Sequence, residues 1–183
     1  MKRLCFIVYG NVAAGKTTFA EMMKKNLPGF EYAGMDEIRL KWADKYPKMN
    51  TKEREKKCET DFLLKVIHSK NLILEHTAIN AFFKVVEKRV KEFFNVYYVH
   101  IKCSPEVCEQ RYFMRKAAGH RGIPLPGNNK MSFLESRISM AEKQKKIHAD
   151  IVLNAEKLTP AQMWQQFLKV FRNRINNHLN EKL

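Results

Sequence analysis

The run Gly10-Asn11-Val12-Ala13-Ala14-Gly15-Lys16-Thr17, followed by Thr18, sets two glycines, a lysine and hydroxyls at a spacing that suits one task. GxxxxGK[ST] is the pattern of a loop that wraps the phosphates of a nucleoside triphosphate. Each residue type has its reason. Gly10 and Gly15 allow backbone angles that turn the N–H groups of Asn11, Val12, Ala13 and Ala14 inward, toward negative oxygen. A helix beginning near Lys16 adds the positive end of its dipole. Lys16 reaches the β- and γ-phosphates of ATP, and the Thr17 hydroxyl completes a Mg2+ shell otherwise made of water and phosphate. The apolar run Leu4–Tyr9 before the motif and the helical pattern after it supply the strand–loop–helix setting.

Phosphoryl transfer asks for further parts: a base for the accepting hydroxyl, cations at the γ-phosphate, and a cover that excludes water. Gly34-Met35-Asp36-Glu37-Ile38-Arg39 follows the second strand, at the sheet edge where ligands bind. Asp36 is placed there to take the acceptor's proton, and Arg39, one turn on, to hold an anionic part of that acceptor. The plain alternative is an N-cap aspartate with a solvated arginine. Ser104-Pro105-Glu106 opens a later helix carrying Arg111 and Arg115 at i, i+4, hence on one face. Between Arg111 and Leu134 there are five basic residues (Arg111, Arg115, Lys116, Arg121, Lys130) and no acid. That reads as a lid over the triphosphate, with Arg111 at the nucleotide and Arg115 at the transferring phosphate, or else as a solvated basic helix. Glu75-His76-Thr77 ends the third strand: Glu75 suits assistance to Mg2+ through water, Thr77 and His76 are placed to face the acceptor, and the alternative for a lone His76 is a structural role. Asn154–Lys157 follows the fifth strand and, by analogy of position only, lies against the adenine.

The elements that must hold these residues alternate along the chain. Strands are expected at Leu4–Tyr9, Phe30–Ala33, Leu72–Leu74, Val96–Ile101 and Ile151–Leu153, and helices near 16–26, 36–46, 52–70, 80–94, 105–118, 132–147 and 160–178. This is an α/β pattern, a parallel sheet with helices on both faces. Thr51, Asn80, Ser104, Ser132 and Thr159 are the expected N-caps, with Pro105 and Pro160 at first helical positions. Trp164, Phe167, Leu168 and Phe171 at helical spacing read as core packing. Gly119–Gly127 gathers Gly and Pro into a mobile loop within a lid region of about 105–130.

Length and composition bound the rest. The 183 residues fit one domain, 1–183, and 45% hydrophobic with 29% charged residues is a globular composition. Thirty-four Lys+Arg against nineteen Asp+Glu leave +15, which favours an anionic partner such as nucleic acid. No apolar stretch approaches the ~20 residues of a membrane span, and Leu4–Tyr9 falls short of the roughly 7–15 residues of a signal-peptide core. Cys5, Cys58, Cys103 and Cys108 are scattered, which points to reduced thiols in the cytoplasm rather than to zinc or disulfides. Asn129-Lys130-Met131-Ser132 lacks the aspartate of a guanine-reading NKxD motif, and a motor-type ATPase needs a longer chain. A small phosphotransferase remains.

Several motifs together resemble the kinase domain of phage polynucleotide 5′-hydroxyl kinases, within the small P-loop kinases. Met1-Lys2-Arg3 leading to the phosphate loop is similar to that family's opening, and Lys25-Asn26-Leu27-Pro28-Gly29-Phe30 is similar to its Lys-Asn-Pro-Gly-Phe segment with one insertion. Met35–Arg39 falls where the family has an aspartate general base and an acceptor-binding arginine, and Arg111-Tyr112-Phe113-Met114-Arg115 matches its R-x3-R lid, whose second arginine assists transfer. The family's Asp-Thr after the third strand is His76-Thr77 here, with the acid one place earlier at Glu75. The resemblance implies a three-layer P-loop kinase fold, a five-stranded parallel sheet in the order 2-3-1-4-5, and ATP with Mg2+. It implies γ-phosphate transfer to the 5′-OH of DNA or RNA. A small acceptor (nucleoside, nucleotide, sugar or related metabolite) is the alternative, and a nucleotide-gated binding protein without transfer is the third reading. No membrane and no obligate protein partner are implied.

Overall fold

In the computed structural model, which describes residues 3–119 and 132–180, five strands and seven helices alternate as expected. The strands are β1 (Arg3–Gly10), β2 (Phe30–Gly34), β3 (Asn71–His76), β4 (Phe94–Lys102) and β5 (Ile151–Asn154). The helices are α1 (Lys16–Asn26), α2 (Met35–Lys45), α3 (Thr51–His68), α4 (Ala81–Phe93), α5 (Pro105–Ala117), α6 (Phe133–Gln144) and α7 (Pro160–Asn180). All strand pairs are parallel and the order is β2-β3-β1-β4-β5.

β1 shows why the sheet carries helices on both sides. Its side chains alternate between two cores, as the pleat dictates. Leu4, Phe6 and Val8 join Phe19 and Met23 of α1 and Met163, Phe167 and Phe171 of α7. Cys5, Ile7 and Tyr9 join Phe62 and Val66 of α3 and Val86 and Val90 of α4 on the opposite face. Phe6 meets Phe167 and Phe171 edge-on at 5.1 and 5.3 Å, so the aromatic stripe of α7 is core packing, as its spacing predicts.

Two local expectations change. The cap of α3 is Asn50, whose side chain accepts from the N–H groups of Lys52 and Glu53, rather than Thr51, which is the first helical residue. β3 runs longer than Leu72–Leu74 because polar ends are paired: the Asn71 side chain accepts from Leu4 N–H at 3.1 Å, and Glu75 and His76 stand opposite Val8 and Tyr9. That register puts Glu75 between β1 and β2, where Gly34 is its other neighbour. Residues 120–131, including Arg121, Lys130 and most of the Gly/Pro loop, lie outside the described residues. Among the described residues no helix is long and apolar enough to cross a membrane.

Candidate active site

The loop after β1 is shaped by close approach. A Cβ on Gly10 would fall on the Ile101 carbonyl of β4, so a side chain there would push the two central strands apart. Ala13 and Gly15 adopt left-handed backbone angles, φ 64° and 104°, which fold the chain back so that α1 starts at Lys16. Gly15 caps α1 without any side-chain hydrogen bond. The first-turn N–H groups therefore present the positive helix end without a built-in acceptor, the condition for holding phosphate oxygens.

Lys16 is 8% exposed and donates from Nζ to the Asn11 carbonyl at 2.8 Å. Burial lowers its pKa, while the Glu75 and Asp36 carboxylates oppose the shift and the Arg137 charge adds to it. Thr17 donates its hydroxyl to Glu75 Oε1 at 2.8 Å, and Tyr32 donates its hydroxyl to Glu75 Oε2 at 2.5 Å. Glu75 is also only 8% exposed. A hydroxyl beside a buried carboxylate is an oxygen-only donor set, which fits Mg2+ arriving with phosphates: Thr17 would ligate the ion and Glu75 would hold its water.

Asp36 lies in the first turn of α2, beside this edge, but it is not the cap. The cap is Gly34, which makes no side-chain bond. Nor is Arg39 solvated. Its side chain is 16% exposed and reaches Asp36 at 3.1 Å, while its Nε and Nη2 donate to the Glu55 carboxylate of α3. Burial works against the Arg39 charge, but Glu55 and Asp36 outweigh it and hold its pKa above the ordinary value. Both halves of the plain alternative, an N-cap aspartate and a free arginine, are thereby replaced by a three-residue ionic cluster. The Asp36 side chain is still 59% exposed.

On the opposite side of the loop, Arg111 donates to the carbonyls of Ala14 at 3.4 Å and Ala155 at 2.8 Å. It ties α5 to both the phosphate loop and the turn after β5. Arg115, one turn further along α5, is exposed. Tyr112 of α5 stacks on Phe133 of α6 at 4.2 Å, so the two helices that flank residues 120–131 are joined by aromatic contact.

His76 has a structural place. Its Nδ1 accepts from Ala78 N–H at 2.9 Å and its ring stacks on Phe83 at 5.0 Å. Burial, aided by the charges of Arg39 and Lys16, drops its pKa to about 3, so it is neutral at pH 7. Thr77 is half-buried, and its carbonyl accepts from Gln144 of α6.

Three contributors escaped the sequence reading. Tyr32 reaches Glu75 across strands, Glu55 reaches Arg39 across helices, and Arg137 of α6 lies at the phosphate loop, where its carbonyl accepts from Asn11 Nδ2 at 3.0 Å. None sits in a motif. The basic run that ends at Leu134 was the nearest signal for Arg137.

No protein-family model matches the chain, and no curated protein does. Solved structures do match its fold. A candidate kinase from Chloroflexus aurantiacus superposes with a TM-score of 0.68 at 14% identity, over 93% of this chain and 99% of that one. A gluconokinase from Sinorhizobium meliloti gives 0.62 at 11% identity, covering 98% of each chain. A chain of the Pnkp1/Rnl/Hen1 RNA repair complex gives 0.62 at 15% identity, over 80% of this chain and 47% of that one. The fold is the three-layer α/β fold of P-loop kinases.

Proposed function

We propose that this chain is an ATP- and Mg2+-dependent phosphotransferase that moves the γ-phosphate to a hydroxyl, and that the hydroxyl is the 5′-OH of DNA or RNA. The convergence that carries the reading is Lys16, Thr17 and Glu75 at the phosphate loop, with Asp36 and Arg39 at the neighbouring strand tip. Asp36 and Glu75 both act on the Lys16 charge, so the loop and the acceptor side share one electrostatic site.

The backbone of Gly10–Thr18 and Lys16 bind and orient the triphosphate. Thr17, with Glu75 on its water, would hold a Mg2+ ion, which would supply neutralisation of phosphate charge. Asp36 accepts the proton of the attacking hydroxyl, and Arg39, held by Glu55, aims the carboxylate. Arg111 sets the donor end, and Arg115 approaches from the lid helix to meet charge at the transferring phosphate. The four cysteines, free and buried, suit a reducing, cytoplasmic setting.

Two features favour a polymer acceptor. Asp36 stands at an open edge, 59% exposed, reachable by the end of a strand that continues into solvent. The α2–α3 hairpin that carries it bears six exposed lysines, Lys41, Lys45, Lys48, Lys52, Lys56 and Lys57, which suit a phosphate backbone. A small hydroxylated metabolite is the second reading, favoured by the full-length likeness to a gluconokinase.

Labelled ATP offered to 5′-hydroxyl oligonucleotides, nucleosides, sugars and no acceptor separates them. Oligonucleotide labelling that falls with salt, and collapses in Asp36→Asn while ATP binding persists, is expected. Labelling of a nucleoside or sugar alone selects the second reading. ATP binding with no acceptor-dependent turnover leaves a nucleotide-gated binding protein.

A further inference from the structure

Arg137 is the one charged side chain among the described residues with buried nitrogens that lack a hydrogen-bond partner. Its guanidinium stacks over Phe133 at 4.6 Å and donates from Nη2 to Ser136 at 3.0 Å. Its Nε and Nη1 are buried and have no hydrogen-bond partner among the described residues. Burial lowers its pKa, opposed by the Cys108 thiol and the Tyr112 hydroxyl. Yet its backbone is fixed to the phosphate loop through Asn11, and its charge is felt at Lys16. A half-buried guanidinium with two idle donors, its charge repelling that of the buried Lys16, is an expensive arrangement. Such a pair is tolerated where a polyanion binds between its members.

Two other arginines at the site are already engaged. Arg39 is bound to Glu55 and Asp36, and Arg111 to two carbonyls. Arg115 is exposed at the end of α5.

We propose that Arg137 is the second fixed cation of the phosphate site, its idle Nε and Nη1 donating to oxygens of the donor's terminal phosphate alongside Lys16. The proposal rests on the phosphotransferase reading above. It adds that α6 completes the site and that Asn11 is the latch, reading the Arg137 carbonyl while its own backbone lines the loop. Because the contact is to the terminal phosphate, Arg137 would discriminate ATP from ADP as well as stabilise transfer.

The test titrates ATP and ADP against wild type, Lys16→Ala, Arg137→Gln and Arg137→Lys by displacement of a fluorescent nucleotide, with melting of each free protein. Arg137→Gln is expected to weaken ATP about tenfold, one charge-assisted hydrogen bond. ADP should change less than about twofold, and turnover should fall by roughly a hundredfold or more. Arg137→Lys should recover part of each loss.

Suppose wild type binds ATP and Lys16→Ala abolishes that binding, while Arg137→Gln keeps the wild-type ratio of ATP to ADP affinity. Arg137 then only docks α6, and the inference fails while the loop reading stands. A wild type that binds neither nucleotide fails both. Where Arg137→Gln does not fold, Arg137→Lys decides: a reduced ratio supports the proposal, and an unchanged one overturns it.

Discussion

Tyr32→Phe removes one oxygen and tests how the Glu75 carboxylate is held. Tyr32 donates to Glu75 Oε2 at 2.5 Å, and Glu75 is 8% exposed, so the lost bond is a charge-assisted one in a poorly hydrated place. Burial first, and the Glu75 charge second, raise the Tyr32 pKa well above the usual phenol value, so the donor proton stays on oxygen at every working pH. Hydrogen bonds to charged groups contribute about 1.5–3 kcal/mol, and we take about 2. For a chain of this length that corresponds to a fall in Tm of roughly 4–8 °C. Glu75 would then rest on Thr17 alone, and the Mg2+ concentration for half-maximal turnover should rise. Gly34→Ala supplies an independent route, because its Cβ would land on the Tyr32 hydroxyl and push the ring off Glu75. Both variants act through one bond, so the double variant should lose less than the two single losses combined. Calorimetric melting at pH 7 and a Mg2+ titration of turnover are the assays. If Tyr32→Phe melts with wild type and keeps its Mg2+ dependence, Glu75 is positioned by something else.

Two further outcomes follow from the same geometry. Lys16→Met should abolish transfer yet leave the free protein as stable as wild type or more so, because it removes a buried cation whose pKa burial already depresses; a melt well below wild type would contradict this. His76 has a folded pKa of about 3 against an ordinary value near 6.5, so only the unfolded chain takes up its proton between those values. Its contribution is complete above pH ~6.5 and is lost toward pH 3 at up to about 1.4 kcal/mol per pH unit. His76→Gln should flatten the fall in urea-measured stability between pH 6.5 and 4.5, and an unchanged slope would mean that His76 is hydrated.

What the sequence made legible is what backbone geometry or short spacing dictates. The phosphate loop is of this kind, because only glycine fits beside Ile101 and a left-handed residue must precede α1. Strand-by-strand burial was readable because Leu4–Tyr9 has no polar residue to leave on a solvated face. The strand order came from resemblance, since periodicity does not say which strands are neighbours. Tyr32, Glu55 and Arg137 were hidden for one shared reason. Each acts across elements, through the β2–β3 register, the α2–α3 packing or the docking of α6, and none has a partner within a helical turn that completes its role. Asn50 escaped more narrowly, one residue before the hydroxyl expected to cap α3.

The central claim is that a triphosphate seated on Gly10–Thr18 and a hydroxyl presented to Asp36 meet at one point. A crystal grown with a nonhydrolysable ATP analogue, Mg2+ and a short 5′-hydroxyl oligonucleotide measures this directly. The account predicts the β- and γ-phosphates at Lys16, the ion on the Thr17 hydroxyl, and the 5′-oxygen hydrogen-bonded to Asp36 in line with the terminal phosphorus. An ordered nucleotide elsewhere, or an Asp36 carboxylate out of reach of both hydroxyl and phosphorus, would contradict it.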